Sequence, residues 1–191
     1  MTESSNNSKS SIIRELSKIS NTNPRIHRVS SMLLDHIIMI IVIIPIGILI
    51  FGIIFQLEEY INKVLGIILM FIPMFVYINK DFFKAKSPAK RILGYQVISR
   101  RTNEPASELQ CFVRNLTIIA WPIEVIVGFI NPERRIGDFL ANTKVITSEK
   151  EKLKSMWTDL KNFKLKINYI SIVIISGFYF YGLSLLLYGM E

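Results

Sequence analysis

The chain has 191 residues, of which 50% are hydrophobic and only 20% charged, with a formal net charge of +8. The charge is confined to tracts: between Val29 and Ile78 only Asp35, Glu58, Glu59 and Lys63 carry it, and between Asn168 and Met190 no residue does. This pattern excludes a disordered chain, a disulfide scaffold and an ordinary soluble enzyme, because uncharged apolar runs of about 18 residues or more read as membrane spans.

Residues 1–24 are rich in Ser and Asn, and Met1–Ser10 is predicted to be disordered. Ile12, Ile13, Leu16 and Ile19 recur at helical spacing, which fits a short amphipathic helix on a membrane surface as well as a loose tail. Val29–Phe55 is the first predicted span. It is too long for a signal-peptide core and lacks a small-residue cleavage site, so it is read as retained. Pro45 and Gly47 should kink it. A second span, within 57–78 and containing Pro73, closes a helical hairpin.

Ile92–Ser99 and Thr143–Thr147 are β-prone and are predicted to pair as a two-stranded ribbon. Between them lies an apolar stretch, Thr117–Ile130, broken by Pro122. As a helix it covers about 21 Å, short of a hydrocarbon core of roughly 30 Å. Glu149–Lys166 is amphipathic, with Leu153, Met156, Trp157, Leu160 and Phe163 on one stripe. Its Lys150, Lys152, Lys154, Lys161 and Lys164 suit anionic lipid headgroups. Ile167–Tyr188 is the last span.

Lysine and arginine favour the cytoplasmic side of short loops. Of the 23 such residues, 22 fall in three tracts, 1–28, 79–117 and 131–166. All three stay on one side only if 107–130 dips in and returns or lies along the interface. The expected architecture is therefore an all-α polytopic membrane protein with three transmembrane helices, a re-entrant or interfacial broken helix over 107–130 and the small ribbon. The parts are an arm (1–24), a membrane domain (25–147), a basic surface helix (148–166) and a final span (167–188). The N-terminus is expected inside and the C-terminus outside. Net charge is explained by orientation and lipid contact and requires no nucleic acid.

Catalytic signals are lacking. One cysteine, Cys111, reads as small apolar filler, and two histidines nine apart, His27 and His36, suit no structural zinc site. No phosphate loop, dinucleotide fingerprint or nucleophile elbow is present, so no cofactor or metal is expected. The informative residues are charged ones near the membrane. Asp35 lies two turns inside the first span, where a bare carboxylate costs about 2.5–3.5 kcal/mol, so it needs a partner. Arg114 is the first candidate, and Arg28 is a candidate partner for Asp138. Glu124, Arg134 and Arg135 complete the set of candidate ion-pair or ion-path residues. Asp138 can equally fix a turn, and Glu124 can equally face headgroups. Trp121, Tyr179 and Tyr181 read as interface or lipid-facing aromatics.

An arginine at the foot of a first span, an aspartate within it and a second aspartate in Arg135-Ile136-Gly137-Asp138-Phe139-Leu140-Ala141-Asn142-Thr143 resemble the RDD family, with Arg28, Asp35 and Asp138 at the signature positions. Ser87-Pro88-Ala89-Lys90-Arg91-Ile92-Leu93-Gly94 is similar to the family's Ser-Pro-Gly-Lys…Gly motif, with Ala89 replacing a glycine. Arg114 matches a recurrent family arginine. Asn142 stands where the family often has glycine, and asparagine tolerates positive φ. The resemblance covers about 25–147. It implies a bacterial inner-membrane protein of transport-related function, with exchange of monovalent cations for protons through Asp35 as the activity to test. The alternative is a non-transporting scaffold or accessory subunit whose Arg/Asp pairs are structural. Three spans are few for a pore, so a homo-oligomer or another membrane protein is the expected partner. An intramembrane enzyme is the weakest reading.

Overall fold

The computed structural model describes residues 23–57, 59–61, 63–163 and 166–188. The helix expected at 12–19 and Lys164 lie outside the described residues.

Helix α1, Pro24–Gln56, is 33 residues long, about 50 Å. Pro24 occupies the first turn, where its missing N–H costs nothing, and the helix runs through Pro45 unbroken. The next apolar stretch is two short helices, α2 (Lys63–Met70) and α3 (Ile72–Ile78), separated at Phe71 just before Pro73. Proline has no N–H for the ladder, so the helix restarts there. The expected second span is thus broken in two, about 24 Å long over Lys63–Ile78, and it returns along α1, where Tyr77 meets His36 at 2.8 Å.

Helix α4, Pro88–Leu93, is capped at its start by the Ser87 hydroxyl and ended by Gly94 at φ 75°. Strand β1 therefore begins at Tyr95 rather than Ile92 and runs to Ser99. Helix α5 (Glu108–Asn115) opens on a Ser107–Gln110 capping box. A 3₁₀ turn, Leu116–Ala120, links it to α6 (Trp121–Ile130). Then follow α7 (Ile136–Leu140), β2 (Thr143–Thr147), α8 (Lys154–Lys161) and α9 (Asn168–Tyr188). The expected ribbon forms: β1 and β2 pair antiparallel, with Val97 opposite Val145 and Ser99 opposite Thr143. Asn142 leads into β2 at φ 51°, so the turn is kept without glycine. The surface helix is shorter than the stripe 149–166 implied.

Three helical stretches are long and apolar enough to cross a membrane: Arg25–Gln56, Glu108–Ile130 and Asn168–Leu186. The middle one folds back. Cys111 of α5 packs on the ribbon beside Tyr95, Val97 and Val145. Trp121 then stacks on His36 with ring centres 4.3 Å apart, Gly128 lies against Met32, and the Pro132 carbonyl accepts from Arg28 Nε at 3.1 Å. These contacts descend α1 from His36 to Arg28, and Arg28 lies over Tyr95 of the ribbon. The segment therefore begins and ends at the same end of α1 and rises about 12 Å along it. A second core joins Ile78, Phe112 and Ile172, bringing α3, α5 and α9 together. Trp121 and Tyr179 are half-buried and make internal contacts as well: one stacks on His36, and the other donates to the Leu116 carbonyl at 2.7 Å. Tyr181 stays exposed.

Candidate functional site: a buried network of ion pairs

α1, the turn after α3, α4, α5, α6 and α7 each contribute a charged side chain to one buried network. From α1, Asp35 faces the N-terminus of α4. It accepts from the Ser87 hydroxyl at 2.7 Å, the Ala89 N–H at 3.2 Å and Lys90 Nζ at 2.9 Å. The Ser-Pro-Ala-Lys motif thus acts as a carboxylate receptor. Ser87 caps the helix, Pro88 sets its first turn, the Ala89 N–H points outward and Lys90 supplies charge.

Lys90 is shared. Its amino group also donates to Asp81 at 2.7 Å, in the turn after α3. Asp81 accepts in addition from Arg114 Nη1 at 3.0 Å and the Asn115 amide at 3.2 Å. Arg114 continues the chain through Nε to Asp138 at 2.7 Å. Asp138 also accepts from the Thr143 hydroxyl and the Arg135 N–H, at 2.7 and 3.1 Å. Arg135 lies 3.4 Å from Glu124, which accepts from the Gly137 N–H at 2.9 Å and from the Thr117 hydroxyl. Asp35, Asp81, Arg114, Glu124 and Asp138 are all essentially inaccessible.

Both candidate pairs read from the sequence are corrected. Asp35 binds Lys90, not Arg114. Asp138 binds Arg114, not Arg28. Arg28 is buried on the Pro132 carbonyl, and its Nη1 has no hydrogen-bond partner among the described residues. The reason is reach. Arg28 and Asp35 lie seven residues apart on one helix face, about 10 Å along the axis. Arg28 therefore fastens the end of α6, while Asp35 meets α4. Glu124 points into the protein and not at headgroups. Arg134 takes no ion pair among the described residues and lies 3.9 Å over the Phe139 ring. The missed residues are Asp81, Lys90 and Lys80. Asp81 had a signal: it is the single acid among the five lysines and arginines of residues 79–91.

Gly137 explains the close approach of α7 to α5. A Cβ there would lie 1.8 Å from the Arg114 carbonyl oxygen and 2.7 Å from Thr117 Oγ1. Only glycine lets Asp138 and the Gly137 N–H reach Arg114 and Glu124 together.

The protonation of the groups outside the long helices follows from this geometry. Burial alone would raise the Asp81 carboxyl, but Lys90, then Arg114 and Lys80, outweigh it and hold it well below the usual range. Asp138 is likewise held low, by Arg114, Arg135 and Arg28 against its burial. Lys80 is different. It is buried, its amino group sits 4.6 Å over the Tyr77 ring, and it forms no ion pair among the described residues. Burial lowers it to about 7, Asp35 only partly offsetting the loss of water.

A second network fastens the surface helix. Buried Arg91 donates through Nη1 to Glu151 at 2.6 Å and Ser155 at 2.7 Å. Through Nη2 it reaches Asp159 at 2.6 Å and the Phe83 carbonyl at 3.0 Å. This takes up the polar face of α8 and leaves Leu153, Trp157 and Leu160 exposed. Lys150, Lys152, Lys154 and Lys161 are exposed beside them. None of the four forms an ion pair among the described residues.

The RDD family profile matches residues 23–189. The chain belongs to the RDD family. The match also corrects the extent of the resemblance, because it includes the surface helix and the whole of the last helix. No curated protein and no solved structure matches the chain. Within this RDD chain the three signature residues do not form one cluster of mutual pairs. They anchor three contacts: Arg28 with the end of α6, Asp35 with α4, and Asp138 with α5 and β2.

Proposed function

We propose that this RDD protein is an integral membrane protein of transport-related function, in which the buried network is the working part and Lys80 its proton-exchanging group. The observation that carries the reading is a run of four carboxylates and five cations buried at the meeting point of α1, α4, α5, α6 and α7, in which Arg28 and Lys80 have no carboxylate partner among the described residues and Lys80 is the one of the two whose amino group can give up a proton near neutral pH. Buried ion pairs are poor sources of stability compared with apolar packing. Their presence here is better accounted for by a charge arrangement that changes in use. Proton loss from Lys80 leaves Asp35 and Asp81 under less positive charge and so raises their attraction for an incoming monovalent cation. That gives cation-for-proton exchange a physical route. Asp35 acts in it through Lys90 and not as a bare ligand.

The back-folded α5–α6 segment supports keeping all three basic tracts, and both strands, on the cytoplasmic side of a bacterial inner membrane. The C-terminus is then outside. The α8 stripe and its lysines fit an anionic headgroup layer. A homo-oligomer supplies the further helices that a pathway requires. No enzymatic step and no nucleic-acid partner belongs to this reading. One observation favours the second reading, a scaffold: three donors already occupy Asp35.

Reconstituted vesicles decide between them. With a sodium or potassium gradient, wild-type protein should move protons, and Lys80→Met should stop this while keeping wild-type folding. Wild-type vesicles no more active than empty ones would end the transport reading and leave the scaffold. For topology, single cysteines at Ser107, Ser148 and Glu191 in a Cys111→Ser background should react with an impermeant thiol reagent on intact cells only at 191.

A further inference from the structure

Beside the second ion-pair network, whose Asp159 it shares, a pocket of about 290 Å³ opens between the turn at Phe82–Lys84, the start of α5, the end of α8 and the foot of α9. Part of its lining is aromatic. Phe163 stacks on Tyr169 at 5.3 Å, and both tilt against Phe82. The polar part of the lining is ionic. Lys84 pairs with Asp159 at 2.7 Å, and Lys166 pairs with Glu108. The exposures are unequal. The lysine side chains are 68% and 55% exposed, against 7% for Asp159 and 16% for Glu108. The acids are therefore fixed in the lining, while the lysines are free to swing to a ligand. Lys84 and Ala85 both sit at positive φ, 53° and 56°. That conformation is rare for residues with a Cβ and costs on the order of 1 kcal/mol or more at each. The turn that presents Lys84 is thus held by its surroundings.

We propose that this pocket binds the headgroup of a zwitterionic phospholipid carrying a primary amine, with its phosphate on Lys84 and Lys166 and its ammonium on Glu108 and Asp159. The inference rests on the membrane reading above. Charge places the ligand: Lys84 and Lys166 suit a phosphate, Arg91 already holds one oxygen of Asp159 at 2.6 Å, and Glu108 is the acid whose cation a phosphate would draw away. A purely anionic headgroup would satisfy the lysines but leave Glu108, only 16% exposed, facing it without its cation, at a desolvation cost. A zwitterion exchanges both ion pairs at once. Three N–H donors on a primary ammonium fit two carboxylates, whereas a quaternary ammonium has none to give. The aromatic rings contact one another instead of forming an open box, so they do not make a quaternary-ammonium cage. Depth agrees as well. The pocket lies where α9 begins its apolar run at Asn168, level with the helix whose Leu153, Trp157 and Leu160 are exposed. That is the headgroup level of a bilayer, with the aromatic wall placed against the glycerol backbone.

Native mass spectrometry of the delipidated full chain tests this with equimolar phosphatidylethanolamine, phosphatidylcholine and phosphatidylglycerol. A one-to-one phosphatidylethanolamine adduct at least fivefold over the other two is expected. Glu108→Gln should bring that preference to within twofold, while Glu104→Gln, on an exposed turn, should keep it. Equal or greater retention of either competitor, or an unchanged preference in the Glu108 variant, overturns the inference. So does displacement of the lipid by millimolar soluble phosphoethanolamine, which would make the ligand a free metabolite. Carbonate extraction of membranes separates the two levels. A chain that stays in the pellet but shows no amine-lipid preference refutes only this site; one that washes out refutes the membrane reading itself.

Discussion

Lys90→Met is the sharpest test of the buried network. Methionine keeps the length and apolar volume of the lysine stem and removes only the charge and its donors. In the wild type that amino group bonds Asp35 at 2.9 Å, Asp81 at 2.7 Å and Ser87 at 3.1 Å. Asp81 would keep Arg114 and Asn115. Asp35 would keep only the Ser87 hydroxyl and the Ala89 N–H, with no cation in contact. Removing one partner of a buried ion pair typically costs about 3–5 kcal/mol, because the other charge stays buried. Domains are stable by only about 5–15 kcal/mol. At about 2–4 °C per kcal/mol for a chain of this size, the unfolding midpoint in detergent should fall by about 6–20 °C. Asp35→Asn in the same background removes the orphaned charge and should recover about half of the loss. A single variant within about 2 °C of wild type, or a double variant no better than the single one, would refute the claim that Lys90 neutralises Asp35 inside the protein.

Further tests bear on the other contacts. Lys80 holds its proton only up to about pH 7 when folded but up to about 10.5 when unfolded, so the unfolded state binds more protons between those values and stability rises with pH across that window. Lys80→Met should abolish this rise and stabilise the protein at pH 6 by roughly 4–5 kcal/mol, read from denaturation at several pH values. Gly137→Ala should cost at least about 1–3 kcal/mol by forcing α7 away from the Arg114 carbonyl, measured by chemical unfolding. Arg91→Met should release α8, seen as proteolysis within 150–163 while the body stays intact. Acid should do the same, because hydrogen bonds from Lys86 and Lys84 hold Glu151 and Asp159 below their ordinary values against partial burial. That stabilisation is present above about pH 4 and lost as pH falls through the depressed values.

Much of the architecture was legible in the order of residues. Long apolar runs mark α1 and α9, because 18 or more apolar residues in succession exceed what one face of a surface helix requires. β-prone Tyr95–Ser99 and Thr143–Thr147 mark the ribbon, and proline-broken 117–130 marks a segment that turns back. Proline lacks a donor wherever it falls, which makes such breaks local and readable. The start of β1 was less so, because the Ser87 cap and Gly94 stop had to be weighed against β-prone side chains.

Pairing was decided only in three dimensions. The sequence established that Asp35 and Asp138 require cations and that Arg28, Arg114 and Arg135 require acids, because charge buried near a membrane is costly alone. It did not establish which meets which. That depends on how α4 docks against α1 and how closely α7 approaches α5, distances of a few ångströms set by Ala89 and Gly137. Coulomb attraction has no sequence register, so Lys90, 55 residues along the chain on α4, meets Asp35 and Arg114 does not.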